Sequence, residues 1–491
     1  MLLRDLRPRV RALVVPLLVL IGAPALAAQD SVQASAYDSA QRALLAPMRN
    51  AIASGRLGGT RWPVISDVVR DLRQVYDSAQ VPLWLKGARP TANALVVVRY
   101  LALVEGVGLN STDYDAARLD SLAHLLADAV AKPDVAGRFE AMLSVAATRV
   151  LATLQWGRVN PRDAHESFRI PRDDFNLPAA LRAIAGGTDP IAVFNDAEPP
   201  LLPYRLLKGQ LARYREIARD SIGTAARKRM ATRISKMELS LERWRWLPHS
   251  FPGRVIIVNI PEFRLYAFDR LTPDSTVEFS MDVVVGQAYD HKTPVFTRDL
   301  KYLAFSPYWE VPPSIARKEI RPKAVRAPSY LARNHYVLLK NGVEVPATGA
   351  NISAIGSTVR VRQLPGPDNA LGRVKFVFPN PHNVYMHDTP VQSAFERARR
   401  DLSHGCIRLA HPVDLAKWVL RDQPEWTPER LDEAMSRTTP LDVPLTERIP
   451  VYVLYGTAVA DRDGTVRFID DLYGHDRRLL ALLARGYPYP R

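Results

Sequence analysis

Cysteine is almost absent from this chain, since Cys406 is the only one among 491 residues. A lone cysteine has no partner for an internal disulfide, and it lacks the paired spacing of a structural zinc site. His387 and His404 precede it and bring the possible metal ligands to three, which is a weak pattern for a metal centre. An isolated cysteine is most often a small buried apolar side chain, and that interpretation stays open from composition alone.

Long apolar runs are also scarce, and the one clear run lies at the beginning of the chain. Residues 1–11 include four arginines, residues 12–23 are mostly apolar, and Ala25-Leu26-Ala27 has the small-x-small pattern of a signal-peptidase site. The run is shorter than the ~20 residues that a spanning helix needs. We predict a signal peptide over residues 1–27, no membrane segment after its cleavage, and a periplasmic protein; an uncleaved anchor is the alternative.

Acidic residues are too few to balance the basic ones, with 51 Asp and Glu against 66 Lys and Arg, a net charge of +15. The predicted signal peptide removes three of these charges, which leaves about +12. In an exported protein this excess favours an anionic polymer or a membrane surface as the partner. The sequence has no zinc-finger, homeodomain or RNP-like pattern, so we predict no nucleic-acid partner.

The surroundings of the cysteine favour chemistry over burial. It stands in the run Ser403-His404-Gly405-Cys406-Ile407-Arg408, and His387 lies nineteen residues before it. A thiol, an imidazole and the amides of a glycine-bearing turn are the parts of a nucleophilic acyl-transfer site. In an oxidising compartment an unpaired thiol is a liability unless the protein uses it. The pattern therefore predicts a thiol nucleophile, and spacing alone leaves both histidines open as its base.

The same run resembles the signature of the L,D-transpeptidases, the enzymes that cross-link bacterial peptidoglycan. Arg408 stands where many members have Asn, although Arg also occurs there. The resemblance extends over residues 363–409, over 242–248 and over 258–265, and it covers most of 242–475. These longer segments resemble the large members of the family, which carry an additional helical scaffold.

The resemblance implies a role for each residue of the site. Cys406 is the nucleophile and His387 the base, whose other ring nitrogen is held by a backbone carbonyl at or near Asp388, and the amides of Gly405 and Cys406 stabilise the oxyanion. The remaining residues support the turn (Ser403, His404, Arg408) or line the substrate pocket (Tyr385, Trp309, Asp388). Arg408 could instead hold a substrate carboxylate, and the Asp388 side chain could orient the histidine. The aromatic rings could simply belong to a core. Such a site needs no metal and no cofactor.

The implied reaction has two steps. The thiol acylates on the diamino-acid carbonyl of a peptidoglycan stem peptide and releases the terminal D-Ala; the side-chain amine of a second stem then takes the acyl group. A hydrolase or an enzyme that attaches protein to peptidoglycan could use the same site, because the motif does not distinguish acyl acceptors. A non-catalytic wall protein is the remaining alternative, and it would require an unreactive thiol.

Periodicity and resemblance together predict an α+β multidomain protein. Residues 28–246 have helical spacing and form an all-α scaffold domain, whose surface is a candidate site for other wall-synthesis proteins. Residues 247–480 form a β-rich catalytic domain with a capping insertion at about 314–361, and residues 481–491 form a tail. The insertion is basic, which predicts a lid that steers carboxylate-bearing stems; a solvated surface excursion is the alternative. Residues 219–230 are too few to hold the peptidoglycan-binding module that large family members commonly carry there.

Overall fold

The computed structural model describes residues 23–127, 132–170, 173–272 and 274–489. Residues 1–22 of the predicted signal peptide lie outside this part, and residues 23–27 open the first helix. Within the described ranges, we find no helix that combines the length and the apolarity needed to cross a membrane.

The first half of the chain is helical, as predicted. Its elements are α1 (Ala23–Ser54), α2 (Val69–Tyr76), β1 (Leu85–Lys86), β2 (Arg89–Pro90), α3 (Ala92–Leu103), α4 (Ala116–Ala127), α5 (Pro133–Trp156), α6 (Pro161–Ala164), α7 (Leu177–Ala185), α8 (Pro190–Asp196), α9 (Leu202–Asp220) and α10 (Thr224–Trp244), with 3₁₀ turns at Val104–Val107 and Ser111–Tyr114. Helix α5 is buried along most of its length, and α1, α3, α4 and α7 pack around it. A helix that is buried on all sides needs such neighbours, so α5 is the centre of this half.

The second half is rich in strands, as predicted. The strands are β3 (Val255–Asn259), β4 (Arg264–Phe268), β5 (Phe279–Gly286), β6 (Phe296–Phe305), β7 (Trp309–Glu310), β8 (Tyr336–Lys340), β9 (Val343–Val345), β10 (Val359–Gln363), β11 (Val374–Val377), β12 (Met386–His387), β13 (Asp401–Ser403), β14 (Ile407–Leu409), β15 (Leu441–Leu454), β16 (Ala458–Ala460) and β17 (Val466–Phe468). The helices are α11 (Pro313–Ile315), α12 (Arg321–Arg326), α13 (Ser329–Arg333), α14 (Gly349–Ser353), α15 (Pro412–Leu420), α16 (Pro428–Met435) and α17 (His475–Leu483), with a π-helical turn at Ala316–Ile320 and a 3₁₀ turn at Gln392–Glu396. The α+β class is thereby confirmed.

The main sheet closes on itself. Its hydrogen-bonded order is β5-β14-β12-β11-β6-β15-β3-β4, and β4 also pairs with β5, while β13 joins the outside of β5. Alternate residues of each strand point into the enclosed space, which is filled by side chains such as Val258, Leu303, Phe376 and Met386. The pattern of the sequence did not predict β6, because the charged run at 298–301 interrupts its apolar alternation.

A small subdomain is inserted between β6 and β11, and we call it the cap. Its sheet has the order β7-β10-β8-β9, and helices α11 to α14 pack on a separate apolar cluster that includes Ile320 and Val361. The predicted insertion at about 314–361 falls within these elements. Strands β8 and β9 lie inside this insertion and precede β10, although the sequence pattern did not predict them.

The C-terminal segment, residues 458–489, lies on the helical half. Strand β16 packs against α9 and α10, and α17 packs against α6 and α10. The side chains of Arg243 in α10 and Asp476 in α17 form an ion pair at 2.6 Å. Tyr487 reaches further, with its hydroxyl 2.7 Å from that of Thr153 and 3.1 Å from that of Tyr114. The Tyr489 hydroxyl donates to the carbonyl of Leu483 in α17, so the chain is held in place as far as Tyr489. The domain boundary near residue 246 stays a prediction.

Candidate active site

The candidate residues share one face of three neighbouring strands. Lys375 of β11 lies opposite His387 of β12, and His387 lies opposite Arg408 of β14, which runs parallel to β12. Side chains two apart on a strand point the same way, so Tyr385 and Cys406 belong to this face as well. The intervening residues point into the barrel core. The register of β12 against β14 thus brings together residues that are about twenty positions apart in sequence.

His387 is buried and held by its own main chain. Its Nδ1 lies 2.5 Å from the carbonyl oxygen of Asp388, and only a protonated nitrogen can donate to a carbonyl. The proton is therefore on Nδ1 and the lone pair on Nε2. Burial, together with the charges of Arg408 and Lys375, lowers the pKa of His387 to about 3, although hydrogen bonds to the carbonyls of Asp388 and Leu371 act in the opposite direction. The imidazole is neutral at physiological pH and able to accept a proton.

The Asp388 side chain binds main-chain amides. Its two oxygens accept hydrogen bonds from the amides of Arg373, at 2.8 Å, and Thr389, at 2.7 Å. Gly372 makes room for it, because a Cβ there would lie 2.4 Å from the carboxylate. The carboxylate therefore fixes the local backbone, and it is the Asp388 carbonyl that contacts the histidine.

The thiol of Cys406 is partly exposed and has a mixed environment. It lies 3.8 Å from the carbonyl oxygen of Asn383, a residue with φ of 53°. Burial raises the pKa of the Cys406 thiol, and hydrogen bonds from Tyr385 together with the charges of Lys375 and Arg408 act in the opposite direction. The thiol and the imidazole are consequently both neutral near physiological pH.

The turn before the cysteine is fixed by its own hydrogen bonds. The Ser403 hydroxyl donates to the carbonyl of Cys406 at 2.6 Å and accepts from the amide of Gly405 at 3.1 Å. Gly405 has φ of 111°, a conformation that favours glycine. Of the two predicted oxyanion donors, the Gly405 amide is therefore engaged by Ser403. Among the described groups, none accepts from the amide of Cys406, which leaves it as the available donor.

His404 connects the turn to the cap. Its Nε2 lies 2.8 Å from Oε1 of Glu319, which belongs to the π-helical turn of the cap, and its ring lies 4.7 Å from that of His291. Both His404 and Glu319 are substantially exposed, so this pair contributes on the order of 1 kcal/mol or less. The contact places the cap against the turn that carries Cys406, and a weak pair of this kind can open.

Arg408 and Tyr385 lie at the candidate site, whereas Trp309 lies in the cap. Arg408 is largely buried, and within the described part of the chain its Nε has no hydrogen-bond acceptor. Tyr385 lies under the ammonium group of Lys375, which is 3.8 Å from the ring centroid. Trp309 belongs instead to strand β7 and packs against the cluster of the cap, with its ring 6.4 Å from that of Tyr336.

The sequence did not reveal several residues that contact the candidate site. Lys375, Asn383, Thr293 and Glu319 contact the site residues, but none stands in the motif. Only Lys375 could have been recognised from the sequence, because it is a cation within an otherwise apolar strand.

No group of three or more potential metal ligands occurs in the described ranges.

The described cavities include one that is separate from this site. A mainly apolar cavity of about 210 Å³ lies between the helical half and the barrel, lined by residues such as Phe168, Trp246 and Tyr266. Neither Cys406 nor His387 contributes to it.

Comparison with known proteins gives two family matches and one relative. Residues 253–453 match the family model described as the L,D-transpeptidase catalytic domain, and residues 70–211 match that of the Scaffold domain. A Haemophilus influenzae protein named "Putative L,D-transpeptidase" is 30% identical over 247 residues, which are 50% of this chain and 48% of that relative. The chain thus spans about half the length of the curated relative that it matches.

Proposed function

Because the chain carries an L,D-transpeptidase catalytic domain together with a Scaffold domain, we propose that it is a peptidoglycan L,D-transpeptidase with Cys406 as its nucleophile. The observation that carries this proposal is the shared face of β12 and β14. On it a partly exposed thiol accompanies a buried neutral imidazole whose Nδ1 proton is fixed by a carbonyl. A nucleophile with a positioned base is the arrangement that acyl transfer requires.

Acylation begins with attack of the Cys406 sulfur on the diamino-acid carbonyl of a stem peptide. The thiol proton moves to Nε2 of His387 as the S–C bond forms, and the carbonyl oxygen becomes an oxyanion that the Cys406 amide stabilises. The C–N bond to the terminal D-Ala then breaks, and the leaving amine takes the proton from His387. The product is a thioester.

Transfer reverses these roles. The side-chain amine of a second stem attacks the thioester and gives a proton to His387 as the new C–N bond forms. The C–S bond breaks, and the proton returns to the departing sulfur of Cys406. No step needs a metal or a cofactor.

Two cations on the same face suit the acidic stem peptides. The ammonium of Lys375 and the guanidinium of Arg408 flank the thiol, and burial lowers the pKa of both groups. Arg408 is partly exposed, and we propose its guanidinium as a donor for a substrate carboxylate. We assign stem-carboxylate binding to this pair, in addition to support of the turn by Arg408. We propose a periplasmic location, which the signal-like pattern of residues 1–27 and the peptidoglycan substrate support.

The deciding experiment is mass spectrometry of purified disaccharide-tetrapeptides after incubation with the mature chain. A cross-linked dimer supports the transpeptidase, and tripeptide without dimer identifies a carboxypeptidase. The Cys406→Ala variant should form neither product. Unchanged substrate after incubation with folded wild-type protein overturns the proposal.

The base is tested separately. His387→Ala should slow acylation by ~10²- to 10⁴-fold, which is the usual contribution of a general base. His404→Ala should have a much smaller effect, because His404 contacts the cap through Glu319. The reverse ranking would mean that His404 is the base.

A further inference from the structure

We propose that Thr293 is a positioning residue, whose hydroxyl orients the peptide between Gly405 and Cys406 so that the Cys406 amide faces the carbonyl under attack. The proposal rests on the function of Cys406 proposed above. It concerns a residue outside the motif, in the loop between β5 and β6, and it explains how a single amide can serve as a fixed oxyanion donor.

The hydrogen bonds of Thr293 define the orientation of that peptide. The side chain is fully buried; its hydroxyl donates to the carbonyl of Gly405 at 2.8 Å and accepts from the amide of Gly286 at 2.9 Å. In a planar trans peptide the C=O and the N–H point in opposite directions. Holding the Gly405 carbonyl on Thr293 therefore directs the Cys406 N–H to the other side of the turn, where it has no acceptor among the described groups.

This fixation matters because the peptide is otherwise easy to rotate. Gly405 has φ of 111°, and glycine tolerates many other conformations at little cost. Ser403 bonds the amide of Gly405 and the carbonyl of Cys406, but it leaves the peptide between them unrestrained. Thr293 supplies the missing restraint.

The loop below Thr293 is itself tightly fitted. A Cβ on Gly286 would lie 1.9 Å from the carbonyl oxygen of His291 and 2.9 Å from Cα of Gly405. The two backbone segments are therefore in direct contact, which keeps the loop that carries Thr293 against the turn.

Tyr473 supports Thr293 from behind. Its hydroxyl donates to the carbonyl of Gly286 at 2.6 Å and accepts from the amide of Thr293 at 3.3 Å. Tyr473 lies in the C-terminal segment, which the ion pair of Arg243 and Asp476 joins to helix α10. The residue therefore acts on the turn through Thr293, and it links the helical half to the geometry of the thiol site.

The test compares two reactions of the same thiol. Thr293→Val keeps the shape and removes the hydroxyl, so kcat for stem-peptide acylation should fall by roughly 10²- to 10³-fold, the usual effect of losing an oxyanion donor. KM should change little. Alkylation of Cys406 by iodoacetamide should keep its wild-type rate, because displacement of iodide from a CH₂ group forms no oxyanion. Thr293→Ser should restore acylation.

The controls separate positioning from general stability. Thr148→Val removes a buried hydroxyl of helix α5 that donates to a carbonyl at 2.7 Å, and it should leave both reactions unchanged. Tyr473→Phe should lower kcat selectively, as Thr293→Val does, but by less. If Thr293→Val does not fold, the acylation and alkylation rates of Tyr473→Phe take its place in the comparison.

Two results would overturn the inference. One is wild-type acylation by Thr293→Val or, if that variant does not fold, by Tyr473→Phe; the other is an equal loss of acylation and alkylation that Thr293→Ser does not restore. Failure of the underlying function looks different, since Cys406→Ala would then retain turnover and the wild type would form no thioester at Cys406.

Discussion

Removal of the Asp388 carboxylate should both destabilise the catalytic domain and displace the imidazole of His387, the proposed base. Asp388→Ala takes away the acceptor of two main-chain amides, those of Arg373 and Thr389. The same residue supplies the carbonyl that binds Nδ1 of His387. A backbone released at this point can shift, and the imidazole then loses the contact that selects its tautomer.

The magnitude follows from the number and burial of these hydrogen bonds. A hydrogen bond to a charged group contributes about 1.5–3 kcal/mol, so the loss of two corresponds to roughly 3–6 kcal/mol in the free energy of unfolding. The Asp388 side chain is only 9% exposed, so solvent replaces little of this. Asp388→Asn retains one acceptor oxygen and turns an NH₂ towards the other amide, so it should recover at most about half.

Urea unfolding followed by tryptophan fluorescence measures the stability, and thioester formation at Cys406 measures the chemistry. Asp388→Ala should lower the urea midpoint and slow acylation, with Asp388→Asn intermediate in both. Asp432→Ala, which removes an exposed carboxylate from helix α16, is the matched control and should behave as the wild type. A wild-type midpoint for Asp388→Ala would refute the claim that the carboxylate fixes this backbone.

Three further predictions concern the thiol, the cap and metals. Since burial raises the pKa of Cys406, its alkylation by iodoacetamide should accelerate with pH to a midpoint above ~8.5, the value of a free cysteine; a lower midpoint would reveal a resident thiolate. Reversing Arg321, Lys323 and Arg326 to Glu should lower kcat/KM for tetrapeptide stems, most strongly at low salt, and leave alkylation unchanged; unaffected turnover at low salt would exclude steering by the cap. EDTA should leave turnover unchanged, whereas a loss that zinc restores would favour a metal at Cys406.

The family and the broad architecture could be predicted from the sequence because their signals are local. The helical spacing of residues 28–246 and the strand-rich pattern of residues 247–480 depend on residues a few positions apart. The unique cysteine with its serine, histidine and glycine neighbours is likewise a continuous run. Strand β6 was missed because its charges break the alternation while pairing with β11 and β15 still holds it in the sheet.

Only the tertiary structure decided which groups meet at the thiol. The parallel register of β12 and β14 places His387 beside Arg408, and packing of the loop after β5 brings Thr293 to Gly405. It also directs the Asp388 carboxylate to main-chain amides. Such contacts depend on how the whole barrel closes, since a shift of one residue in register turns each side chain to the opposite face. The motif thus identified the candidate nucleophile, and the closed sheet determined which imidazole, cations and amides share its surroundings.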